Sequence, residues 1–151
     1  MYFWHWTWTD SCSVSSLTLI RANGSGLTCE GEGMEVHCDD VLIEQCQENG
    51  IHVNWGSTVT CNNVEIRECG GSGFLILNGS NLKILLSDKG VHDNGTNGSV
   101  HDKGICVSGS SSKVQIVAPL SKEQVSTNNG FDDSGNWCGN IEQIHEASHV
   151  P

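Results

Sequence analysis

Apolar residues along most of the chain come as short pairs separated by one residue, as in Val36 and Cys38 or Val41 and Ile43. This period of two is that of a β-strand, in which alternate side chains face the same side. Gly, Asn, Asp and Ser, which favour turns, lie between the pairs. The pattern therefore predicts an all-β chain of short strands.

The pairs also repeat along the chain. Units begin near residues 12, 36, 59, 82 and 114, and an insertion at residues 87–104 interrupts the fourth. Three short strands in each unit of 22–24 residues predict a single-stranded parallel β-helix solenoid of about five coils, stacked about 4.8 Å apart. A shift of 23 residues places Val36 on Val59, Cys38 on Cys61, Val41 on Val64, Ile43 on Ile66, Cys46 on Cys69, Gly50 on Gly73, Ile51 on Phe74 and Val53 on Ile76.

One coil, NNVEIRECGGSGFLILNGS, resembles a coil of the right-handed parallel β-helix, or pectin-lyase-like, superfamily. The resemblance extends over residues 12–117 and implies the fold. It implies no single activity, because the superfamily includes polysaccharide lyases, glycoside hydrolases, uronan epimerases, phage tailspikes and non-catalytic repeat domains. We expect one domain over residues 1–151, with an N-terminal aromatic cap or partial coil at 1–11 and an irregular C-terminal cap or tail at 118–151.

Charge narrows the classes of partner. The net charge is −11 with only seven Lys and Arg, which disfavours nucleic acids and anionic membrane surfaces. No apolar run approaches the roughly 18 residues of a membrane span, so we expect no membrane insertion. The start lacks the pattern of a secretory signal peptide and is abrupt, so we expect an incomplete fragment and assign no localisation.

The cysteines are predicted to form two interior ladders, Cys38 on Cys61 and Cys46 on Cys69. In-register parallel neighbours fit disulfide geometry poorly, and two ladders on different sides of a coil do not converge on one zinc ion. Stacked thiols acting as small apolar side chains fit best, with disulfides and metal as alternatives. Cys106 and Cys138 have no stacking partner in this register and are the expected candidates for oxidation.

Enzymes of this fold place carboxylates on outward columns of the sheets, for acid–base catalysis or calcium binding. The predicted outward columns contain no two stacked carboxylates, which argues against a polysaccharide-cleaving centre within these coils. Asp39 and Asp40 are a weak alternative for calcium, but an Asp/Asn corner between two sheets is favoured. We expect no cofactor. The outward columns are Ser13, His37, Thr60, Lys83 and Gln115; Thr18, Leu42 and Glu65; and Thr28, His52, Leu75 and Cys106.

Two segments are candidate ligand sites. The insertion contains two copies of Val-His-Asp, with His92 and Asp93 in one and His101 and Asp102 in the other. These residues could bind a metal or form an acid–base pair, and the alternative is a solvated β-hairpin in which they face each other. In the start FWHWTWT, Trp4, Trp6 and Trp8 share one face and would either cap the solenoid or stack on sugars.

Four Asn-Gly-Ser/Thr sequons, at Asn23, Asn78, Asn94 and Asn97, indicate either glycosylation or Asn-Gly turns, and composition favours turns. The expected function is a non-catalytic β-helix module that binds polysaccharide or another protein through a lateral sheet face. One alternative is a fragment or relative of a polysaccharide lyase, glycoside hydrolase or uronan epimerase. The other is a structural spacer with end-to-end contacts in a larger assembly.

Overall fold

The structure is a computed structural model that describes residues 1–4, 11–86, 89–99, 102–130 and 135–145. Almost all of its regular structure consists of strands that pair in parallel. The elements in chain order are β1 (Tyr2–Trp4), β2 (Ser11–Ile20), β3 (Leu27–Glu30), β4 (Glu35–Glu44), β5 (Ile51–Asn54), β6 (Thr58–Arg67), β7 (Phe74–Ile76), β8 (Asn81–Leu86), β9 (Val91–His92), β10 (Ile105–Val107), β11 (Lys113–Val117), α1 (Lys122–Val125), β12 (Ser126–Thr127), β13 (Trp137–Cys138) and β14 (Ile141–Ile144).

The strands form two stacks. The short-strand sheet has the order β1-β3-β5-β7-β10-β13. In the long-strand sheet, β2 pairs with β4 and β4 with β6, each over ten-residue strands. Beyond β6 this sheet divides: β8, β11 and β14 continue its first half, whereas β9 and β12 continue its second half.

Each long strand bends at one residue, which divides the sheet into two faces. Ser16, Asp40 and Asn63 lie at the bends with φ of 50°, 52° and 52°. A left-handed conformation turns the chain at a non-glycine residue, and Asp and Asn tolerate it best. Each coil therefore has three strand segments, and the chain is an all-β parallel solenoid of about five turns, as predicted. The right-handed sense of winding stays a prediction.

The register predicted from the repeat is confirmed. Val36 pairs with Val59, Ile51 with Phe74, and Ile105 with Phe74 across the insertion. Inward side chains on these columns are almost completely buried, with Val36, Val59 and Ile51 each 0% exposed. Stacked apolar columns thus form one continuous core, which no single coil could bury alone.

Glycine is required where the chain enters the short-strand sheet. Gly26, Gly50 and Gly73 lie just before β3, β5 and β7, and the amide after each donates to the carbonyl of the next glycine along the stack. A Cβ on Gly50 would lie 2.2 Å from Ile66 Cγ2, and one on Gly73 would lie 2.2 Å from Val91 Cγ1. Only glycine allows the sheets to close on the core at this corner.

The segment after residue 117, which the sequence pattern marked as irregular, contributes further strands. β12 pairs with β9, β13 with β10 and β14 with β11, so the stack continues into this segment. The four-residue helix α1 lies between β11 and β12. Within the described ranges, no helix has the length and apolar character needed to cross a membrane.

We predict that Gly50→Ala lowers the free energy of unfolding by about 1–3 kcal/mol, because the new methyl group must displace Ile66 in a packed core. Gly24→Ala is the matched control, since its Cβ would meet no atom closer than Glu48 Oε2 at 3.8 Å. Urea unfolding of both variants provides the test. Equal stability of the two variants would contradict the steric account.

Candidate functional site

Charged side chains from three successive coils meet on the outer face of the long-strand sheet. Glu44, Arg67 and His92 occupy one outward column, since Glu44 pairs with Arg67 and Arg67 with His92. Glu65 lies two residues before Arg67 on the same face, and Asp93 follows His92. We refer to these five residues as the polar cluster.

Arg67 is the centre of the polar cluster. Its Nε and Nη2 both donate to Glu44 Oε2, at 2.8 Å and 2.6 Å, and its Nη1 lies 3.3 Å from Glu65 Oε1. The hydrogen bond to Glu44 raises the pKa of Arg67, so the guanidinium is charged at every accessible pH. Because it is held from two sides, it presents a fixed positive charge on the sheet face.

His92 contacts two carboxylates of the polar cluster, one at the adjacent corner of the coil and one on the sheet face. Its Nδ1 lies 2.7 Å from Asp93 Oδ2, and its Nε2 lies 3.5 Å from Glu65 Oε1. The Asp93 carboxylate can only accept, so Nδ1 carries the proton, and this contact sets the orientation of the ring. The hydrogen bond from His92, with a second from Asn128, lowers the pKa of Asp93 below its ordinary value.

The cluster remains open to solvent in part. The side chains of Asp93, Arg67 and His92 are 45%, 36% and 27% exposed, against 15% for Glu44 and 16% for Glu65. The exposed atoms of the first three can therefore reach a ligand, while the two glutamates mainly hold them in place.

A buried asparagine fixes the chain just after the cluster. Asn94 Nδ2 donates to the carbonyls of Ile66 and His92, and its Oδ1 accepts from the Cys69 amide. Asn94 is 2% exposed, so the sequon at this position is not accessible to a glycan in the folded chain. These bonds tie β9 to β6, which places His92 beside Arg67.

In the described part of the insertion, the first Val-His-Asp copy does not form the β-hairpin considered as an alternative. Val91 and His92 form a parallel strand between β6 and β12, and Val91 is 1% exposed. The first His-Asp pair is therefore part of the solenoid wall. Asp102 instead accepts a hydrogen bond from the Ser99 amide at 2.9 Å. His101 lies outside the described residues.

The aromatic start is described only in part. Trp4 ends β1, whose backbone pairs with β3 at the edge of the short-strand sheet. Trp6 and Trp8 lie outside the described residues. The proposed roles of Trp4, Trp6 and Trp8, in capping or in sugar stacking, stay predictions.

Asp39 and Asp40 lie at the bend of β4, in the favoured arrangement of an Asp/Asn corner. Asn62 Nδ2 donates to Asp39 Oδ1 at 2.6 Å, and Asn63 Nδ2 donates to Asp40 Oδ1. The two carboxylates therefore bind amides of the next coil. Across the described part of the chain, no group of three or more His, Cys, Asp or Glu side chains could hold a metal ion.

The interior cysteine ladders are confirmed. Cys38 pairs with Cys61, no disulfide forms among the eight cysteines, and Cys46 and Cys69 are at most 2% exposed. Burial raises the pKa of another interior thiol, Cys29, to about 11. The expectation that Cys106 and Cys138 lack stacking partners is wrong: they pair with each other, because β13 adds a rung to the short-strand sheet.

His52 is a second partly buried histidine, on the outer face of the short-strand sheet. Burial lowers its pKa, and its Nε2 is buried without a hydrogen-bond partner. Its register partners Thr28 and Leu75 are uncharged, and the carboxylates of Glu30 and Glu48 raise its pKa less than burial lowers it. Burial therefore favours the neutral form of His52, which lies on a different sheet from the polar cluster.

Sequence reasoning named His92 and Asp93 as a candidate site and placed Glu65 on an outward column, but it did not bring Glu65 together with them and did not name Glu44 or Arg67. Extending the 23-residue register by one position beyond Ile43 and Ile66 would have placed Glu44 on Arg67. His92 follows Arg67 by 25 residues, because the pairing of β6 with β8 shifts register after Cys61, and the fixed offset of 23 therefore missed this neighbour.

Comparison with known proteins does not assign this chain to a family. No protein-family model, no curated protein and no solved structure matches this chain.

We predict that Asn94→Ala lowers the free energy of unfolding by about 1–3 kcal/mol, because it leaves a buried amide and two carbonyls unpaired. Asn97→Ala is the matched control from the same loop, since Asn97 is exposed and donates one bond, to the Gln47 carbonyl at 3.0 Å. Thermal unfolding compares the two. A larger loss in Asn97→Ala would contradict the anchoring role of Asn94.

The lowered pKa of Asp93 predicts a pH effect. The group stabilises the fold above its ordinary pKa of 3.8, and this contribution is lost as the pH falls through the lowered value. His92→Gln should raise the pKa of Asp93, which an NMR titration of its carboxyl carbon measures. His37→Gln is the control, because His37 is an exposed histidine on the same sheet. An unchanged Asp93 titration in His92→Gln would refute the contact.

Proposed function

We propose that this chain is a non-catalytic, pectin-lyase-like β-helix module that binds carbohydrate through the lateral face of its long-strand sheet. The observation that carries the proposal is the column Glu44, Arg67 and His92, flanked by Glu65 and Asp93. Its side chains are held by one another on a rigid sheet and keep polar atoms at the surface. Such preorganised donors and acceptors suit a ligand rich in hydroxyl groups.

The arrangement along the solenoid supports an elongated ligand. Successive rungs of the column are about 4.8 Å apart, and the corner beside them carries further polar groups. Arg21 Nε donates to Gln45 Oε1 at 2.9 Å, and Gln45 Nε2 donates to Glu68 Oε2 at 2.8 Å. A polar strip that crosses several coils matches a polymer whose hydroxyl groups recur along its length.

Charge favours a neutral or basic polysaccharide over a polyuronate. The polar cluster contains three carboxylates against one guanidinium and one imidazole, and the whole chain has a net charge of −11. The negative charge of the chain would repel a polyanion. Hydroxyl and amino groups of sugars, by contrast, can donate to the carboxylates.

The pKa and the hydrogen bonds of the carboxyl groups in the polar cluster favour binding over catalysis. Glycoside cleavage needs a carboxylic acid whose pKa is raised so that it can donate a proton. The pKa of Asp93 is lowered instead, and Glu44 accepts hydrogen bonds from two nitrogens of Arg67. These contacts suit fixed anions that accept hydrogen bonds.

An enzyme related to polysaccharide lyases, hydrolases or epimerases is the second candidate. The observation in its favour is the His92–Asp93 pair, because an aspartate on Nδ1 orients a histidine for proton transfer at Nε2. Turnover of polygalacturonate or of a neutral glucan that is lost in His92→Gln would establish this activity and would refute the non-catalytic proposal.

The binding proposal predicts that a glycan array of neutral, amino-sugar and uronate oligosaccharides yields ligands of the first two classes. His92→Gln and Asp93→Asn should each weaken binding about tenfold in calorimetric titration, the effect of losing one charge-assisted hydrogen bond. His37→Gln, the same substitution on the other half of the sheet, should leave the affinity unchanged. Absence of any bound glycan, or equal weakening by His37→Gln, would refute the site.

A further inference from the structure

Cys106 and Cys138 form a thiol pair on the outer face of the short-strand sheet. They are direct neighbours on β10 and β13, and their Sγ atoms are 2.8 Å apart, closer than sulfur atoms in ordinary van der Waals contact. In-register parallel neighbours do not have the Cβ spacing that disulfides prefer, but their Cα atoms, about 4.8 Å apart, lie within the range that disulfides adopt, and in this pair the Sγ atoms already approach each other. The pair can therefore be bridged without moving the strands far.

Exposure distinguishes this pair from the other cysteines. Cys138 is partly exposed, whereas Cys38, Cys61, Cys46 and Cys69 are all at most 2% exposed. Cys12 is also partly exposed, but its register partner is Val36. Among the cysteines, only Cys138 combines access to solvent with a thiol as register partner.

We propose that Cys106 and Cys138 are a redox-modification site, which forms an intramolecular disulfide by exchange with a small disulfide such as oxidised glutathione. The Cys138 thiolate attacks one glutathione sulfur, which forms a mixed disulfide and releases a glutathione thiolate. The Cys106 sulfur then attacks Cys138 Sγ, its proton passing to the second glutathione, which leaves as the thiol. Two electrons move from the protein thiols to oxidised glutathione, which is reduced to two molecules of glutathione.

The order of attack follows from access. Cys106 is 4% exposed, and its contact with Cys138, together with burial, raises its pKa. Cys106 is thus a poor first nucleophile and a well-placed resolving thiol, since it needs to reach only its neighbour. Cys138 is the group that a bulky disulfide can approach.

The bond would close the C-terminal coil. The two cysteines are 32 residues apart, and the chain between them contains β11, α1 and β12. β12 pairs with β9, which carries His92. Oxidation would therefore fasten the part of the stack that supports the polar cluster, independently of whether that cluster binds carbohydrate.

The test incubates the purified chain in glutathione buffers of increasing oxidised-to-reduced ratio, followed by alkylation and peptide mapping. We expect one cross-linked peptide pair, Cys106 with Cys138, and a rise in Tm of about 5–10 °C on oxidation. Cys106→Ser should leave glutathione attached at Cys138, because no resolving thiol remains. Cys46→Ser, from a buried stacked pair, is the control and should still form the cross-link.

Three results would overturn the proposal. They are a cross-link between other cysteines, no cross-link at the most oxidising ratio, and an equal rise in Tm for wild type and Cys106→Ser. Alkylation rates in the reduced wild type provide a readout that needs no variant. Cys138 must react faster than Cys38, Cys46, Cys61 and Cys69, and equal rates would refute the assigned order of attack.

Discussion

Backbone pairing between successive coils, in register and in parallel, is the constraint on which the rest of this molecule depends. It places each side chain directly above its equivalent in the next coil, about 4.8 Å away. Apolar residues satisfy this requirement by repetition, as Val36 and Val59 do. Glycine satisfies it at the entry to the short-strand sheet, where Gly50 and Gly73 leave no room for a Cβ. If the pairing of one strand slipped by a single residue, its core side chains would turn to the outer face.

Stacking identical residues on successive coils, which suits apolar side chains, is unfavourable for charged ones, because like charges directly above one another repel. The outer face of this acidic chain resolves the conflict by alternation. Glu44 stacks on Arg67, Asp39 bonds Asn62, Gln45 bonds Glu68, and Gln115 bonds Glu142. The polar cluster thus follows the same alternation, in which an acidic residue on one coil meets a basic or amide side chain on the next. What sets it apart is that His92 and Asp93 add a second acid–base pair at the same place.

The cysteines show how position on the same scaffold changes chemistry. Cys38 and Cys61 face the core, where they pack as small apolar groups. Cys106 and Cys138 have the same register relation but face outward, and Cys138 is within reach of solvent. The backbone geometry is shared, so exposure is what separates packing thiols from the proposed redox pair.

The repeat in the sequence was sufficient to predict the fold class, the register and the interior cysteine ladders, because an offset of 23 residues brings like residues together over two full coils. It did not predict that β9, within the insertion, belongs to the stack, nor that β12, β13 and β14 extend it. Those strands contain two to four residues and include Ser126, Thr127, Trp137 and Cys138, so no apolar pair marks them. Backbone hydrogen bonds to the preceding coil hold them in place. The tertiary structure alone therefore decided that His92 meets Arg67 and Glu65, and that Cys138 meets Cys106.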